Sequence, residues 1–187
     1  MITNYIPNKS KIKIFYSVKQ KLFFNTSPKG RTIEVLVSAD SEKSALDHLN
    51  KHTQNAISNP KKTTYVYSKE EDRYIPIVTP AGEDDCRLIS SEVISIKETS
   101  ICCFLGNPEG YVYLAKIRAD YISIKSISDV AIGAKDFDEA YCIIKNAFKD
   151  PKFMAKLLFS KEVSDQDCEN ASFDIDSIKK AKYSIIL

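Results

Sequence analysis

The amino-acid sequence predicts an α+β fold, in which a mainly antiparallel sheet, or sheets, built from hairpins carries two or three amphipathic helices packed on one face. Three observations support this fold class. Runs of alternating apolar and polar residues are separated by short loops rich in turn-forming residues. A few segments instead show the 3.6-residue period of amphipathic helices. Between residues 63 and 133 strand-like runs follow one another without helices, which disfavours a regular β–α alternation.

The first predicted element is a long strand over residues 11–24, because apolar and lysine side chains alternate there with period two. Even positions such as Ile14 and Val18 are apolar, and odd positions carry lysines, with Phe15 as the apolar exception. A polar loop over residues 25–30 and a second strand over residues 32–37 complete a predicted hairpin.

Three helices are predicted from their N-terminal signals. Asp40 or Ser41 caps a helix that runs to about residue 56. Asp136, with Glu139 three residues later, forms a capping-box pattern ahead of an apolar stripe. Asp150 suits the cap of a third helix, and Pro151 suits its first turn.

Further strands are predicted in the middle and at the end of the chain. Residues 63–68 and 73–79 form a hairpin around a charged turn, and residues 87–97, 121–127 and 130–133 add strands. The loop over residues 106–110 predicts the clearest hairpin of the chain, between strands 101–105 and 111–117. Residues 177–187 are expected to pass from a short helix into a last strand.

An internal similarity joins two strand-to-helix corners. Their matched residues are Val35, Val37, Ala39, Ala45 and Leu49 in the first corner and Val130, Ile132, Ala134, Ala140 and Ile144 in the second. A duplicated β-then-α unit would give this pattern. Convergence on common corner chemistry would give it too, and the sequence leaves both explanations open.

Length and composition indicate one globular domain over residues 1–187, with a candidate subdomain boundary near residues 58–62. No apolar run is long enough for a membrane-spanning helix, and the N-terminus does not resemble a secretory signal. The five cysteines are odd in number and follow no repeated spacing, so we predict reduced thiols without disulfide partners. These observations predict a cytoplasmic protein with no membrane association.

Catalytic and cofactor motifs are missing from the sequence. His48 and His52 are the only histidines, and no third ligand at a suitable spacing accompanies them. The chain has five glycines, and they match neither the G-x-G-x-x-G pattern nor the P-loop pattern of phosphate-binding loops. No G-x-S-x-G nucleophile elbow is present. Cys102 and Cys103 are adjacent in a strand-like run, so we expect them to point to opposite faces. We therefore predict no cofactor and no metal.

Acidic pairs remain as candidates for a metal-dependent hydrolase or nuclease. Asp84 and Asp85 lie in a loop between predicted strands, where such an enzyme could hold Mg²⁺. The other pairs are Asp136 with Asp138, Asp165 with Asp167, and Asp174 with Asp176. Asp84 and Asp85 are not accompanied by a third acid and a basic partner at a recognisable spacing, and Asp136 is already explained as a helix cap.

Charge is distributed unevenly along the chain. Residues 1–62 carry 11 Lys or Arg against four Asp or Glu, whereas the whole chain has a net charge of only +2. The predicted N-terminal hairpin concentrates the basic residues around one aromatic side chain, as in surfaces that track phosphates and stack bases. The candidate binding surface consists of Lys11, Lys13, Phe15, Lys19, Lys21, Lys29 and Arg31.

The function predicted first is that of a non-catalytic intracellular protein that binds another protein, as an inhibitor, an immunity-type protein or an effector does. The absence of a catalytic pattern and the small, hairpin-rich architecture favour it. A nucleic-acid-binding protein that uses the basic hairpin is the first alternative. A small hydrolase or nuclease with an acidic metal site is the second.

Overall fold

A computed structural model of the protein describes residues 14–70, 72–120, 125–158 and 168–186. Within these ranges ten strands lie in mostly antiparallel sheets and three helices pack on them, so the predicted α+β class is confirmed. None of the described helices is long and apolar enough to cross a membrane. None of the described cysteines forms a disulfide bond.

The first sheet has four strands in the order β10-β2-β1-β5. Their bounds are β1 Ile14–Phe24, β2 Ser27–Ala39, β5 Leu88–Glu98 and β10 Tyr183–Ile186. β1 is antiparallel to both β2 and β5, while β10 runs parallel to β2. Helix α1, Glu42–Ser58, covers one face of this sheet, where its Ala45 and Leu49 pack against Val18 and Val37.

The second sheet has four strands in the order β6-β8-β7-β9. Their bounds are β6 Ile101–Gly106, β7 Tyr111–Asp120, β8 Lys125–Ala134 and β9 Ser172–Lys180. β7 is antiparallel to β8 and β9, while β6 runs parallel to β8. Helices α2, Phe137–Ala147, and α3, Pro151–Leu158, cover one face, and their Ile144 and Met154 are fully buried there.

The other faces of the two sheets pack against each other. This inter-sheet layer consists of Phe15, Leu36, Ile101, Phe104, Val112 and Ala131. The molecule is thus a stack of four layers, helix, sheet, sheet and helices, with an apolar core at each of its three boundaries. Each sheet carries helices on one face only.

The two sheets have the same topology. In the first sheet the hairpin β1–β2 leads into α1, and β5 later pairs antiparallel with β1 at one edge. In the second sheet the hairpin β7–β8 leads into α2, and β9 later pairs antiparallel with β7 at one edge. The fourth strand of each sheet then comes from the other half of the chain. After β5 the chain crosses to the second sheet as β6, and after β9 it crosses to the first sheet as β10.

Details of register repeat between the two halves. The pairing of β1 with β5 shifts between Lys19 and Gln20, and the pairing of β7 with β9 shifts at the matching place, between Lys116 and Ile117. Each crossing contains two residues. In the first crossing the Thr99 amide donates to the Phe15 carbonyl at 2.8 Å, and in the second the Ala181 amide donates to the Val112 carbonyl at 2.8 Å. Phe15 and Val112 are the second residues of β1 and β7. The corner residues matched in the sequence occupy the two helix-side cores in corresponding places. The similarity in sequence therefore reflects a repeated unit of structure.

Capping side chains set the start of each helix as predicted. The Ser41 hydroxyl accepts a hydrogen bond from the Ser44 amide at 3.2 Å at the start of α1. The Asp136 carboxylate accepts one from the Glu139 amide at 2.8 Å at the start of α2. Asp150 plays the same part for α3. These bonds satisfy amides that have no partner within the helix.

The loop over residues 106–110 does not close a hairpin, so that prediction was wrong. β6 and β7 are not neighbours, because β8 lies between them in the sheet. The loop instead passes over the end of β8, where the Asn107 amide donates to the Gly133 carbonyl at 2.9 Å. A Cβ atom on Gly133 would lie 1.9 Å from the Asn107 carbonyl oxygen, so glycine is required for this close approach.

The predicted short helix after residue 177 was also wrong, because residues 172–180 form β9. Ile175 and Ile178 pack on the second sheet's core, with a register shift between them that breaks simple alternation. The last predicted strand is confirmed as β10. Part of the predicted strand over residues 121–127 lies outside the described residues.

One polar residue is buried between the first sheet and α1. Gln20 is 2% exposed, and its amide nitrogen donates to the Thr53 hydroxyl at 3.0 Å and to the Ser91 hydroxyl at 2.8 Å. The two bonds use both protons of the amide. The matching position on β7 holds the apolar Ile117, so this network belongs to the first half alone.

We expect Gln20→Ala to lower the free energy of unfolding by about 2–3 kcal/mol, because it leaves a cavity and removes the partners of two hydroxyls. Urea unfolding measures the change. Gln54→Ala is the matched control, since Gln54 is exposed on α1 and its replacement should change the stability by less than about 0.5 kcal/mol. Equal stability of the two variants would contradict the buried network.

Candidate functional site

A two-stranded hairpin stands apart from both four-stranded sheets. Its strands, β3 Lys61–Ser68 and β4 Arg73–Pro80, pair with each other and with no other described strand. We call residues 61–80 the hairpin arm. Residues 61–67 are all exposed, as are most of the described side chains of β4. The arm is inserted between α1 and β5.

Both faces of the hairpin arm carry apolar side chains in their middle part. Residues directly opposite each other in the register share a face, which assigns each side chain. The tyrosine face carries Tyr65, Tyr67, Tyr74, Pro76 and Val78, together with Thr63 and, at the base, Lys61 and Pro80. The aliphatic face carries Val66, Ile75 and Ile77 in its middle, with Thr64, Thr79 and Lys62 toward the base and Ser68 and Arg73 toward the turn. Half of the twelve large apolar side chains that are exposed among the described residues lie on this arm.

Polar contacts hold the base of the arm. The Ala81 amide donates to the Pro60 carbonyl at 2.9 Å and closes the hairpin beyond its last strand pair. Lys62 forms an ion pair with Asp85 at 2.7 Å, and the Asn25 side chain donates to the Asp85 carbonyl at 3.0 Å. These bonds connect the arm to the turn between β1 and β2. The base of the arm is therefore anchored to the first sheet.

An open depression of about 550 Å³ lies at this base. Its lining includes Pro60, which precedes the arm, Lys61 at the start of the arm, and Val78 and Pro80 at its end. Lys61, Val78 and Pro80 belong to the same side of the arm as the tyrosines. The tyrosine face thus continues into a concave surface.

The outer part of the arm is ordered by its own side chains. The Tyr67 and Tyr74 rings meet edge to face, with centroids 5.4 Å apart. The Tyr67 hydroxyl donates to the Asp72 carboxylate, and this bond raises the pKa of Tyr67. Tyr65 and Tyr74 are 65% and 68% exposed, so their rings remain available for contact.

This arrangement is unfavourable in water without a covering surface. A lone two-stranded hairpin is at best marginally stable, and sheets normally bury one apolar face. Contiguous exposed apolar patches on a protein surface mark places where another molecule binds. The arm presents two such faces back to back. It is the candidate functional site of this chain.

The structure divides the basic surface that the sequence predicted. Lys11 and Lys13 lie outside the described residues. Phe15 is 5% exposed and belongs to the inter-sheet layer, so its prediction as an exposed stacking residue was wrong. The physical reason is that a second sheet covers the face that a half-buried strand would leave to solvent. An alternating pattern cannot reveal this second layer.

The remaining basic residues do not form one patch. Lys19 is exposed beside Glu34 on β2, and Lys21 lies opposite Glu92 on β5, so acidic residues alternate with them. Arg31 pairs with Leu22 and therefore lies on the opposite face of the sheet from Lys19. Lys29 is exposed near the turn.

One member of each acidic pair that the structure describes is engaged in a structural contact. Asp85 binds Lys62, Asp136 caps α2, and Asp176 forms an ion pair with Arg118 at 2.6 Å. Asp165 and Asp167 lie outside the described residues. His48 and His52 are exposed on α1. Across the described part of the chain, no three ligand-type side chains come together around a possible metal position.

The sequence predicted the strands of the arm but not its isolation. Two features of the sequence point to it in retrospect. Apolar residues occupy both alternating sets of β3 and β4, although no long apolar run suggests a central strand. Pro76 cannot donate a hydrogen bond and is disfavoured within a larger sheet.

Comparisons of the chain with protein-family models, with curated proteins and with solved structures found no match. The function must therefore be inferred from the residues and their arrangement.

The ion pair at the base of the arm predicts a pH dependence. The hydrogen bond from Lys62 lowers the pKa of Asp85, so the folded state binds this proton more weakly than the unfolded chain does. Its stabilising contribution is complete above the unfolded pKa and is lost as the pH falls through the lowered pKa. We expect Asp85→Asn to lower the melting temperature at neutral pH and the difference from wild type to disappear in acid.

Thermal unfolding measured from pH 7 downward tests this expectation. Asp84→Asn is the matched control, because Asp84 is the adjacent, exposed carboxylate of the same loop. If Asp85→Asn melts at the same temperature as Asp84→Asn at pH 7, the ion pair does not stabilise the base of the arm.

Proposed function

We propose that this chain acts by binding another protein, and that the hairpin arm is the element that the partner holds. The observation that carries the proposal is the exposure of apolar side chains on both faces of one two-stranded sheet. Tyrosine is among the residues that dominate binding energy at protein interfaces, and three tyrosines share one face of the arm.

The partner that fits best has a cleft that covers both faces of the arm. A flat surface would bury the tyrosine face and leave Val66 and Ile77 in water. A second copy that pairs edge to edge with the arm would extend the sheet and leave both faces exposed. A second copy packed face to face would cover one face of each arm. A cleft in a different protein satisfies both faces at once.

Several features support a binding role over a catalytic one. The described side chains of the arm include no histidine or cysteine, and they take part in no cluster of three or more ligand-type side chains. Its anchored base gives a fixed direction to an otherwise independent element, which reduces the ordering cost of binding. The uncharged stretch from Thr63 to Tyr67 suits a desolvated interface centre, and charged residues lie at the base and the turn. Inhibitors, immunity-type proteins and effectors act in this way, and we place the chain in the cytoplasm with its cysteines reduced.

The proposal is tested by quantitative co-purification from the native host with matched surface variants. We expect Tyr65→Ser with Val78→Ser, which alters the tyrosine face, to weaken partner binding at least about 10-fold. We expect Val66→Ser with Ile77→Ser, on the aliphatic face, to weaken the same partner. The affinity for the recovered partner is then measured by titration with purified proteins.

Tyr111→Ser with Ile127→Ser is the control for these double variants, because it removes one exposed aromatic and one exposed aliphatic side chain away from the arm. It should bind the partner as wild type does. Loss of binding in all three double variants, or in none, would contradict an arm-centred interface. Loss with the tyrosine-face variant alone would contradict a cleft that covers both faces.

A separate titration with single-stranded oligonucleotides tests the nucleic-acid alternative. Binding to single-stranded oligonucleotides that falls steeply with salt and is weakened by replacing Lys19 and Lys21 with Gln would favour it. Oligonucleotide binding with no protein partner would overturn the proposal.

A further inference from the structure

The adjacent cysteines of β6 lie on the same side of their strand. The register of β6 against β8 skips Cys102, so that this residue forms a bulge between Ile101 and Cys103. Both cysteines pack toward the second sheet's helix-side core, and their sulfur atoms are 3.7 Å apart. The expectation that they point to opposite faces was wrong, because it holds only for a regular strand.

The repeated topology shows that the fold does not need this bulge. The strand that matches β6 is β10, which pairs with β2 over Tyr183–Ile186 without any shift in register. Bulges commonly re-aim a side chain next to a functional site. Here the bulge is an addition to the repeated unit, and its effect is to bring two thiols together.

The separation of the two sulfurs suits chelation of one ion. In a tetrahedral thiolate site with metal–sulfur bonds of about 2.3 Å, two sulfurs lie about 3.8 Å apart. The observed 3.7 Å matches this spacing. The Cys102 sulfur also lies 3.2 Å from the Asp129 carbonyl oxygen, which fixes its orientation. Cys102 is half-buried, while Cys103 is buried.

We propose that Cys102 and Cys103 form a two-thiolate binding site for a thiophilic cation, with the remaining coordination positions filled by ligands from solution. The site is independent of the hairpin arm. Access to solution is on the side of Cys102, which is only half-buried, while Cys103 is buried. Soft thiolate ligands select ions such as Zn²⁺ over hard cations such as Mg²⁺.

Cadmium and phenylarsine oxide are suitable probes for the proposed site. Cd²⁺ bound by thiolates gives an ultraviolet charge-transfer absorption. Phenylarsine oxide condenses with two thiols without a change of oxidation state. Two As–S bonds form, the arsenic–oxygen bond breaks, and the oxygen leaves as water with the two thiol protons. The arsenical adduct requires two neighbouring thiols, and for Cd²⁺ the affinity rather than the absorption reports the second thiolate.

The experiment uses the full chain with Cys86→Ser and Cys142→Ser, which removes the two exposed monothiols. We expect one equivalent of each probe to bind. Adding Cys102→Ser, or Cys103→Ala in a variant shown to fold by circular dichroism, should weaken Cd²⁺ binding at least about 100-fold, because the second thiolate contributes a high effective concentration. The corresponding phenylarsine oxide adduct should disappear from the intact mass spectrum.

Two results would overturn the proposal. One is that the parent protein binds no Cd²⁺ and forms no arsenical adduct under reducing conditions. The other is that Cys102→Ser binds both probes as tightly as the parent, which would assign the binding to other groups.

Discussion

The apolar layer between the two sheets is the constraint on which the rest of the molecule depends. Phe15 and Leu36 from the first sheet meet Val112 and Ala131 from the second, and all four side chains are removed from water. Because this layer uses the inner face of each sheet, the helices must cover the outer faces. The two crossings of the chain, after β5 and after β9, pass beside this layer and tie the sheets together.

Local chemistry made much of the fold predictable. The capping residues Ser41, Asp136 and Asp150 act through neighbouring amides, so the sequence alone locates the start of each helix. The hairpins β1–β2 and β3–β4 join consecutive strands by short turns and were predicted for the same reason. The sequence does not predict that β6 joins the second sheet and β10 joins the first. This pairing depends on contacts between residues that are far apart in the chain, and short-range patterns carry no information about such contacts.

The candidate sites show the same division between local and distant effects. The alternation along β1 predicts an exposed Phe15, and only the packing of a second sheet buries this side chain. The sequence predicts the two strands of the hairpin arm. It does not predict that neither strand pairs with one of the four-stranded sheets. Cys102 and Cys103 were assigned to opposite faces by a rule that the bulge at Cys102 breaks. In each case the residue types indicate the local structure, but residues elsewhere in the chain determine the surroundings of the side chains.

The exchanged strands have a consequence for synthesis on the ribosome. β2 emerges early together with β1, but its other edge receives β10, which is translated long after it. Until β10 is made, the β2 edge that includes the apolar Leu36 has no paired strand. Unpaired edges of this kind can pair with other chains and lead to aggregation. The parallel pairing of β10 is thus a late step in folding, and slow translation of the second half would prolong the exposure of the β2 edge.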